Sequence, residues 1–217
     1  GYQYTAPRLS LGVNLYYMKY KDQLVPTGMV NDDSNALNTN VPDSYRRGVE
    51  LSASWRATGW FTVGANATFS QNRIENYVDA LKDSPTYGKE LGDMTIAYSP
   101  DVIANAFLNF HHRGFEAVFH TQHVGKQYFT NNENDALSLD AYCVTNLNLA
   151  YTFRTRSARS VRLGLLINNL FNAEYESNGY GYSYMDTWSG PAPVRIDEAY
   201  YFPQAPLNVL ANVTVKF

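Results

Sequence analysis

Between residues 160 and 175 the chain reads SVRLGLLINNLFNAEY, and its first half alternates without a break. Val161, Leu163, Leu165 and Ile167 fall on one parity, while Arg162, Gly164, Leu166 and Asn168 fall on the other. That is the period of a β-strand with two unlike faces. The pattern returns at the C-terminus, where Leu207, Val209, Ala211, Val213, Val215 and Phe217 share a face without charge and Asn208, Leu210, Asn212, Thr214 and Lys216 occupy the other. It also runs through residues 8–21, 49–56, 61–70, 102–111, 115–122 and 141–153. In each, an apolar row (Leu9 to Tyr17, Val49 to Trp55, Phe61 to Phe69, Val102 to Phe110, Phe115 to Thr121, Ala141 to Phe153) opposes a row of small and polar residues. About eight strands and no helix are predicted.

The connections alternate in length. Tight ones at 57–59, 113–114 and 154–159 are interleaved with long polar stretches at 23–44, 71–99, 125–138 and 172–206, all expected to be loops. Short turns at one end and long loops at the other characterise up-and-down transmembrane barrels, whereas a soluble sandwich has no reason to sort them. The aromatics agree. Trp55, Trp60, Phe61, Phe110, Phe115, Tyr151, Phe153 and Phe217 gather beside the short turns or the C-terminus, as an interfacial belt would, and Tyr17, Phe69 and His123 fall near the opposite ends.

Composition sharpens this picture. Charged residues are 17% and aromatics 15%, with 18 Tyr among 217 residues, and mean hydropathy is −0.36. Average soluble domains carry about 25% charge. No run of about 18 apolar residues is present, so transmembrane helices are excluded, whereas a membrane barrel hides its apolarity in alternation. A net charge of −3 without a basic cluster excludes nucleic acid as a partner. The single Cys143 rules out an internal disulfide and a thiolate zinc cage. There is no Gly-x-Ser-x-Gly elbow and Cys143 lies on the apolar face, so no enzyme is expected.

Four segments then resemble one family. Asn168-Asn169-Leu170-Phe171-Asn172-Ala173-Glu174-Tyr175 resembles the N-L-F-(D/N)-x-x-Y segment of TonB-dependent outer-membrane receptors, and Tyr200-Tyr201-Phe202-Pro203-Gln204-Ala205-Pro206 with the strand ending at Phe217 resembles their terminal strand. Arg47-Gly48-Val49-Glu50-Leu51 is similar to their G-(V/I)-E strand, and Val124-Gly125-Lys126-Gln127-Tyr128 to a strand end reading VGKQY. The four occur in the family's order over nearly the whole chain. The resemblance implies an all-β, antiparallel barrel in the bacterial outer membrane. It implies a barrel of about 22 strands, of which residues 1–217 correspond to the C-terminal part, with no plug domain. It implies the lipid bilayer as a partner, TonB engaged through the plug region, and uptake of a scarce ligand such as a ferric siderophore, haem, cobalamin, glycan or peptide. Taken alone, such a sheet would leave open edges in lipid, each unpaired backbone group costing several kcal/mol. The alternatives are a self-contained eight-stranded barrel serving as adhesin or anchor, and a soluble carbohydrate-binding β-sandwich.

The loop EYESNGYGYSYMDTW interleaves Tyr175, Tyr180, Tyr182, Tyr184 and Trp188 with glycines, and Arg195 follows in the same loop with Asp197 and Glu198. Aromatics on such a loop suit stacking on a siderophore, sugar or porphyrin, and Arg195, Asp197 and Glu198 suit gripping a charged ligand; packing on neighbouring loops, or a solvated surface, is the competing use of the same residues. No metal site or cofactor is expected. His111 and His112 are adjacent and point to opposite faces, and His120 and His123 are likewise separated by an odd spacing. The runs Asn31-Asp32-Asp33-Ser34 and Asn131-Asn132-Glu133-Asn134-Asp135 lack the Gly and Glu placement of an EF-hand. The sequons at Asn66 and Asn212 lie mid-strand and carry no glycosylation meaning there.

Overall fold

The computed structural model describes residues 1–31 and 35–217. Alternation becomes paired strand throughout: β1 (Tyr2–Ala6), β2 (Leu9–Val30), β3 (Ala36–Arg56), β4 (Phe61–Ile74), β5 (Met94–Thr95), β6 (Val102–His112), β7 (Phe115–Val124), β8 (Gln127–Tyr128), β9 (Ser138–Leu139), β10 (Tyr142–Phe153), β11 (Ser160–Asn168), β12 (Glu176–Asp186), β13 (Val194–Pro203) and β14 (Asn208–Lys216). Among the described residues a single 3-10 turn, Asp135–Leu137, interrupts them, capped by Asn134. The wall is one antiparallel sheet in the order β1-β2-β3-β4-β6-β7-β10-β11-β14, with β5 added to β4. The eight expected strands all form, and β1 joins them at one edge. β1 and β14 do not pair with each other, so the sheet stays open.

Register decides what each face is made of, because residues directly opposite in an antiparallel pair point the same way. Val13, Leu51, Ala67, Ala104, His123 and Cys143 form one rung across six strands. Leu149, Leu165 and Ala211 form another, as do Tyr151, Leu163 and Val213. Every strand's apolar row therefore meets its neighbour's, giving one continuous apolar surface. Among the described residues no second sheet covers it; Leu15 is 69% and Val213 65% exposed. That overturns the sandwich alternative, whose core would lie on this face.

The opposite face is polar over most of its area. Ser52, Asn66, Asn105 and Gln122 make one rung, with Asn105 Nδ2 donating to Asn66 Oδ1 at 3.2 Å. Arg162 clasps Glu116 through two bonds of 2.9 and 2.6 Å. His111 (opposite Glu116) and His120 (opposite Phe107) fall on this side, while His112 and His123 fall on the apolar side, as alternation requires. At the short-turn rim the belt is visible as touching rings: Trp60–Phe110 at 5.2 Å, Phe110–Phe115 at 5.9 Å and Tyr151–Phe153 at 5.9 Å between centroids.

Two long stretches differ from the expected loops. Residues 23–44 are mostly strand: β2 and β3 run on as a paired hairpin, 22 and 21 residues long, far past the wall. Outside the membrane the outward backbone groups of a two-stranded ladder can bond water, and among the described residues of this hairpin only Val25 and Val41 are buried apolar ones, so Asn- and Asp-rich sequence accommodates it. The register shifts between Pro26 and Val30, where proline has no N–H to give. The stretch 172–206 contains the hairpin β12–β13. The run Asn31-Asp32-Asp33-Ser34 lies, apart from Asn31, outside the described residues.

Candidate ligand-binding surface on the long loops

The buried cores of this chain lie in its long loops. Val25 (2% exposed) and Val41 from the β2–β3 hairpin close on Ile74, Tyr77 and Ile96. Phe129 (1%), Leu137 (0%) and Leu139 form a second cluster in the β7–β10 connection. Asn131, fully buried, ties three segments together: its Oδ1 accepts from Ala97 N at 2.7 Å and its Nδ2 donates to Pro26 O at 2.5 Å. Glu133 accepts from the N–H and hydroxyl of Thr95 at 3.0 and 2.5 Å and pairs with Arg73. Burial pushes the Glu133 carboxyl up, but the Thr95 bonds and the Arg73 charge outweigh it and hold it below its ordinary range. The Asn- and Asp-rich run 131–135 is thus consumed by loop architecture, Asp135 taking Lys126 at 2.5 Å.

On this base sits the hairpin β12–β13. Gly179 and Gly181 share the face turned to the second cluster. A Cβ on Gly181 would lie 2.9 Å from both Leu137 Cδ2 and Phe129 Cδ2, and one on Gly179 2.7 Å from Phe129 Cζ. Glycine is required there because the strand lies flat against two large side chains. The Asn168-Asn169-Leu170-Phe171-Asn172 segment clasps the loop's ends. Asn169 and Asn172 adopt φ of 50° and 53°, a conformation asparagine tolerates. Asn169 Nδ2 and Oδ1 bond Ala173 O and N at 2.8 Å, and Asn172 Oδ1 accepts from Leu207 N at 2.9 Å.

The other face of the hairpin brings together Tyr180, Tyr182, Tyr184, Glu198, Tyr200 and Phe202. Tyr182 and Tyr200 donate to Glu198 Oε2 at 2.7 and 2.9 Å, and Tyr184 donates to Oε1 at 3.2 Å. Those bonds, from Tyr182 first and then Tyr200, hold the Glu198 carboxyl below the usual range and raise the Tyr182 phenol. The rings stack on one another: Tyr180–Tyr200 at 4.9 Å and 13°, Tyr182–Tyr200 at 6.4 Å. The result is a ladder of exposed ring edges and hydroxyls around one anion, without a cation on that face of the hairpin among the described residues.

Of the residues singled out from sequence, Tyr180, Tyr182 and Tyr184 are brought together. Tyr175 is elsewhere, stacked on Tyr142 at 4.6 Å. Trp188 stands alone at the hairpin tip, 78% exposed. Arg195 lies on the glycine face, opposite Met185, and is neutralised by Asp197 at 2.8 Å while donating to Ser183 Oγ at 3.0 Å. Glu198, singled out beside Arg195 and Asp197, faces away from them and joins the tyrosines; Tyr200 and Phe202 were missed. Their signal was alternation: three residues at i, i+2 and i+4 opposite another such set.

A family model described as "TonB dependent receptor-like, beta-barrel" matches residues 1–170. Among solved structures, the ferric yersiniabactin uptake receptor FyuA from Yersinia pestis aligns with 99% of this chain at a TM-score of 0.67 and 18% identity. The copper transporter OprC aligns with 99% at 0.66 and 19%, and BauA, the ferric preacinetobactin receptor from Acinetobacter baumannii, with 99% at 0.65 and 12%. The chain spans 28%, 30% and 28% of those proteins respectively.

Proposed function

This chain belongs to the TonB-dependent receptor β-barrel family, and on that premise we propose that it supplies barrel wall and external loops to an outer-membrane receptor that imports a scarce ligand. The observation that carries the proposal is the broad, predominantly apolar surface, assembled rung by rung across the sheet and left bare. Hydrocarbon is the solvent that makes such a surface stable. The polar face then lines a lumen, and the packed long loops form its outer mouth.

In the whole receptor the edges at β1 and β14 pair with further strands, since unpaired backbone is costly in lipid. TonB acts through a plug outside residues 1–217, and the ligand is a scarce compound such as a ferric siderophore, haem, cobalamin or a glycan; the similar structures, named for ferric siderophores and copper, favour a metal or its complex. These residues perform no covalent chemistry. They hold the wall, and the tyrosine ladder on β12–β13 contributes to ligand capture with its ring edges and hydroxyls. The absence of a cation on that face favours a neutral or cationic portion of the ligand there.

The test is uptake and binding by the intact receptor with Tyr180, Tyr182 and Tyr184 all changed to Ala. Binding is expected to weaken by about tenfold or more, given stacking and hydrogen-bond losses of about 1–3 kcal/mol, with barrel assembly unchanged. Unaltered affinity across ferric siderophores, free metal, haem, cobalamin and oligosaccharides would remove the ladder from the binding surface.

A further inference from the structure

The apolar surface does not end abruptly at the long-loop side. On β3 the outward row runs Trp55, Ala53, Leu51, Val49, and then Arg47 and Tyr45. Eight residues separate Trp55 from Arg47. At about 3.3 Å per residue and a tilt of about 40°, Arg47 stands roughly 20 Å above the short-turn belt. An apolar band about 25 Å tall places it at the opposite interface, where lipid headgroups lie.

Arg47 is held ready there. Its Nε and Nη2 both donate to Gln71 Oε1, at 2.9 and 2.5 Å, and its guanidinium lies 5.2 Å from the centre of the Tyr45 ring. Tyr45 in turn stacks on Tyr17 at 6.3 Å. The neighbouring cation Lys19 is already answered by Glu75 at 3.0 Å and Asp43 at 3.5 Å. Among the described residues no carboxylate stands within ion-pair distance of Arg47. A shallow hollow of about 620 Å³ opens beside it, lined by Tyr17, Val49, Phe69, Gln71 and Val102 and also by Asp101.

We propose that this hollow on the outer wall seats one phosphate-bearing lipid of the membrane, its phosphate on Arg47 and an acyl chain along Val49, Phe69 and Val102. The charge fits: a guanidinium fixed by Gln71, with unused donors and no ion-pair partner among the described residues, takes phosphate oxygens in pairs. The shape fits as well, since the apolar boundary of the hollow is continuous with the bare surface below it. The site is separate from the tyrosine ladder and from the lumen. It rests on the membrane setting proposed above.

The experiment uses the intact receptor, wild type and Arg47→Gln, purified in mild detergent. Each is offered vesicles of phosphatidylglycerol, vesicles of the phosphate-free digalactosyl diacylglycerol, or inorganic phosphate, and bound lipid is counted after gel filtration. Wild type should retain phosphatidylglycerol over the galactolipid, and Arg47→Gln should hold it roughly fivefold more weakly. Arg47→Lys, which keeps charge but not the fork, should fall between. Heat-modifiable gel migration, the mark of an inserted barrel, should be the same in all. Equal phospholipid retention by Arg47→Gln, no preference over the galactolipid, or displacement of lipid by inorganic phosphate would overturn the site while leaving the receptor reading intact. A wild type that never inserts would overturn both.

Discussion

Leu165→Arg tests the physical claim beneath everything else. Leu165 lies on β11 between Leu149 and Ala211, four residues beyond Val161 at the short-turn end. Four residues correspond to about 13 Å along a strand and roughly 10 Å of height, close to the middle of a band about 25 Å tall. Arginine facing lipid near the midplane costs about 2–4 kcal/mol, falling to about 0–1 near the interfaces. On a water-facing surface the same change stays within about 0.5 kcal/mol. Asn148→Arg provides the internal control, because Asn148 pairs with Leu166 on the opposite, polar face of the same two strands. In vesicles, the urea midpoint of the intact receptor should drop for Leu165→Arg and hardly move for Asn148→Arg. A gap of 2 kcal/mol is about thirtyfold in the folding equilibrium. Equal midpoints for the two variants would mean that hydrocarbon does not touch the apolar row.

Two further outcomes follow from the loop layer. Gly181→Val should force the hairpin off its base, since the new Cβ meets Leu137, Phe129 and the Glu198 carbonyl all at 2.9 Å; a loss of about 1–3 kcal/mol in docking should appear as faster protease cleavage within residues 176–203, with the wall strands still protected. The Glu198 carboxyl is held below its ordinary value of 4.5 by the phenols of Tyr182, Tyr200 and Tyr184. Its stabilisation of the ladder is therefore complete above that value and lost as pH falls through the lower folded one, so tyrosine near-ultraviolet circular dichroism should stay flat from neutral pH down to about 4.5 and change below it; Glu198→Gln should abolish the acid transition, and a transition that persists in that variant assigns it to another group.

The wall was legible because lipid imposes a single rule on it. A strand with hydrocarbon on one side and a lumen on the other must alternate, and Val161 to Ile167 or Leu207 to Phe217 could hardly announce it more plainly. Past the rim that rule lapses. β2 and β3 continue through Gln23, Asn38 and Asn40 with only Val25 and Val41 required to be apolar, so polar composition suggested loop where the backbone kept pairing. The hairpin β12–β13 was hidden differently. Gly179, Tyr180, Gly181, Tyr182, Ser183 and Tyr184 do alternate, but between small and aromatic instead of polar and apolar. Small residues were packing against Phe129 and Leu137, a demand set by a distant loop and invisible locally. Arg195 shows the same limit in reverse. Asp197, two residues on, shares its face and cancels it, which spacing alone would have disclosed.

These two regimes also explain where the molecule keeps its buried side chains. A wall segment gains its stability from backbone pairing and from contact with lipid, so its large apolar residues stay on the outside and its interior can remain polar. The long loops leave the membrane and lose that support. They must then exclude water by themselves, and the sequence places Val25, Val41, Ile74 and Ile96 in one loop cluster and Phe129, Leu137 and Leu139 in another to do so. Asn131 and Glu133 lock the segments between these clusters through bonds to Pro26, Ala97 and Thr95. The mouth of the barrel is consequently a packed platform in its own right. A surface displayed on it, the tyrosine ladder included, is positioned by loop packing more than by the wall, which is why a change at Gly181 and a change at Leu165 should act on separate halves of the same chain.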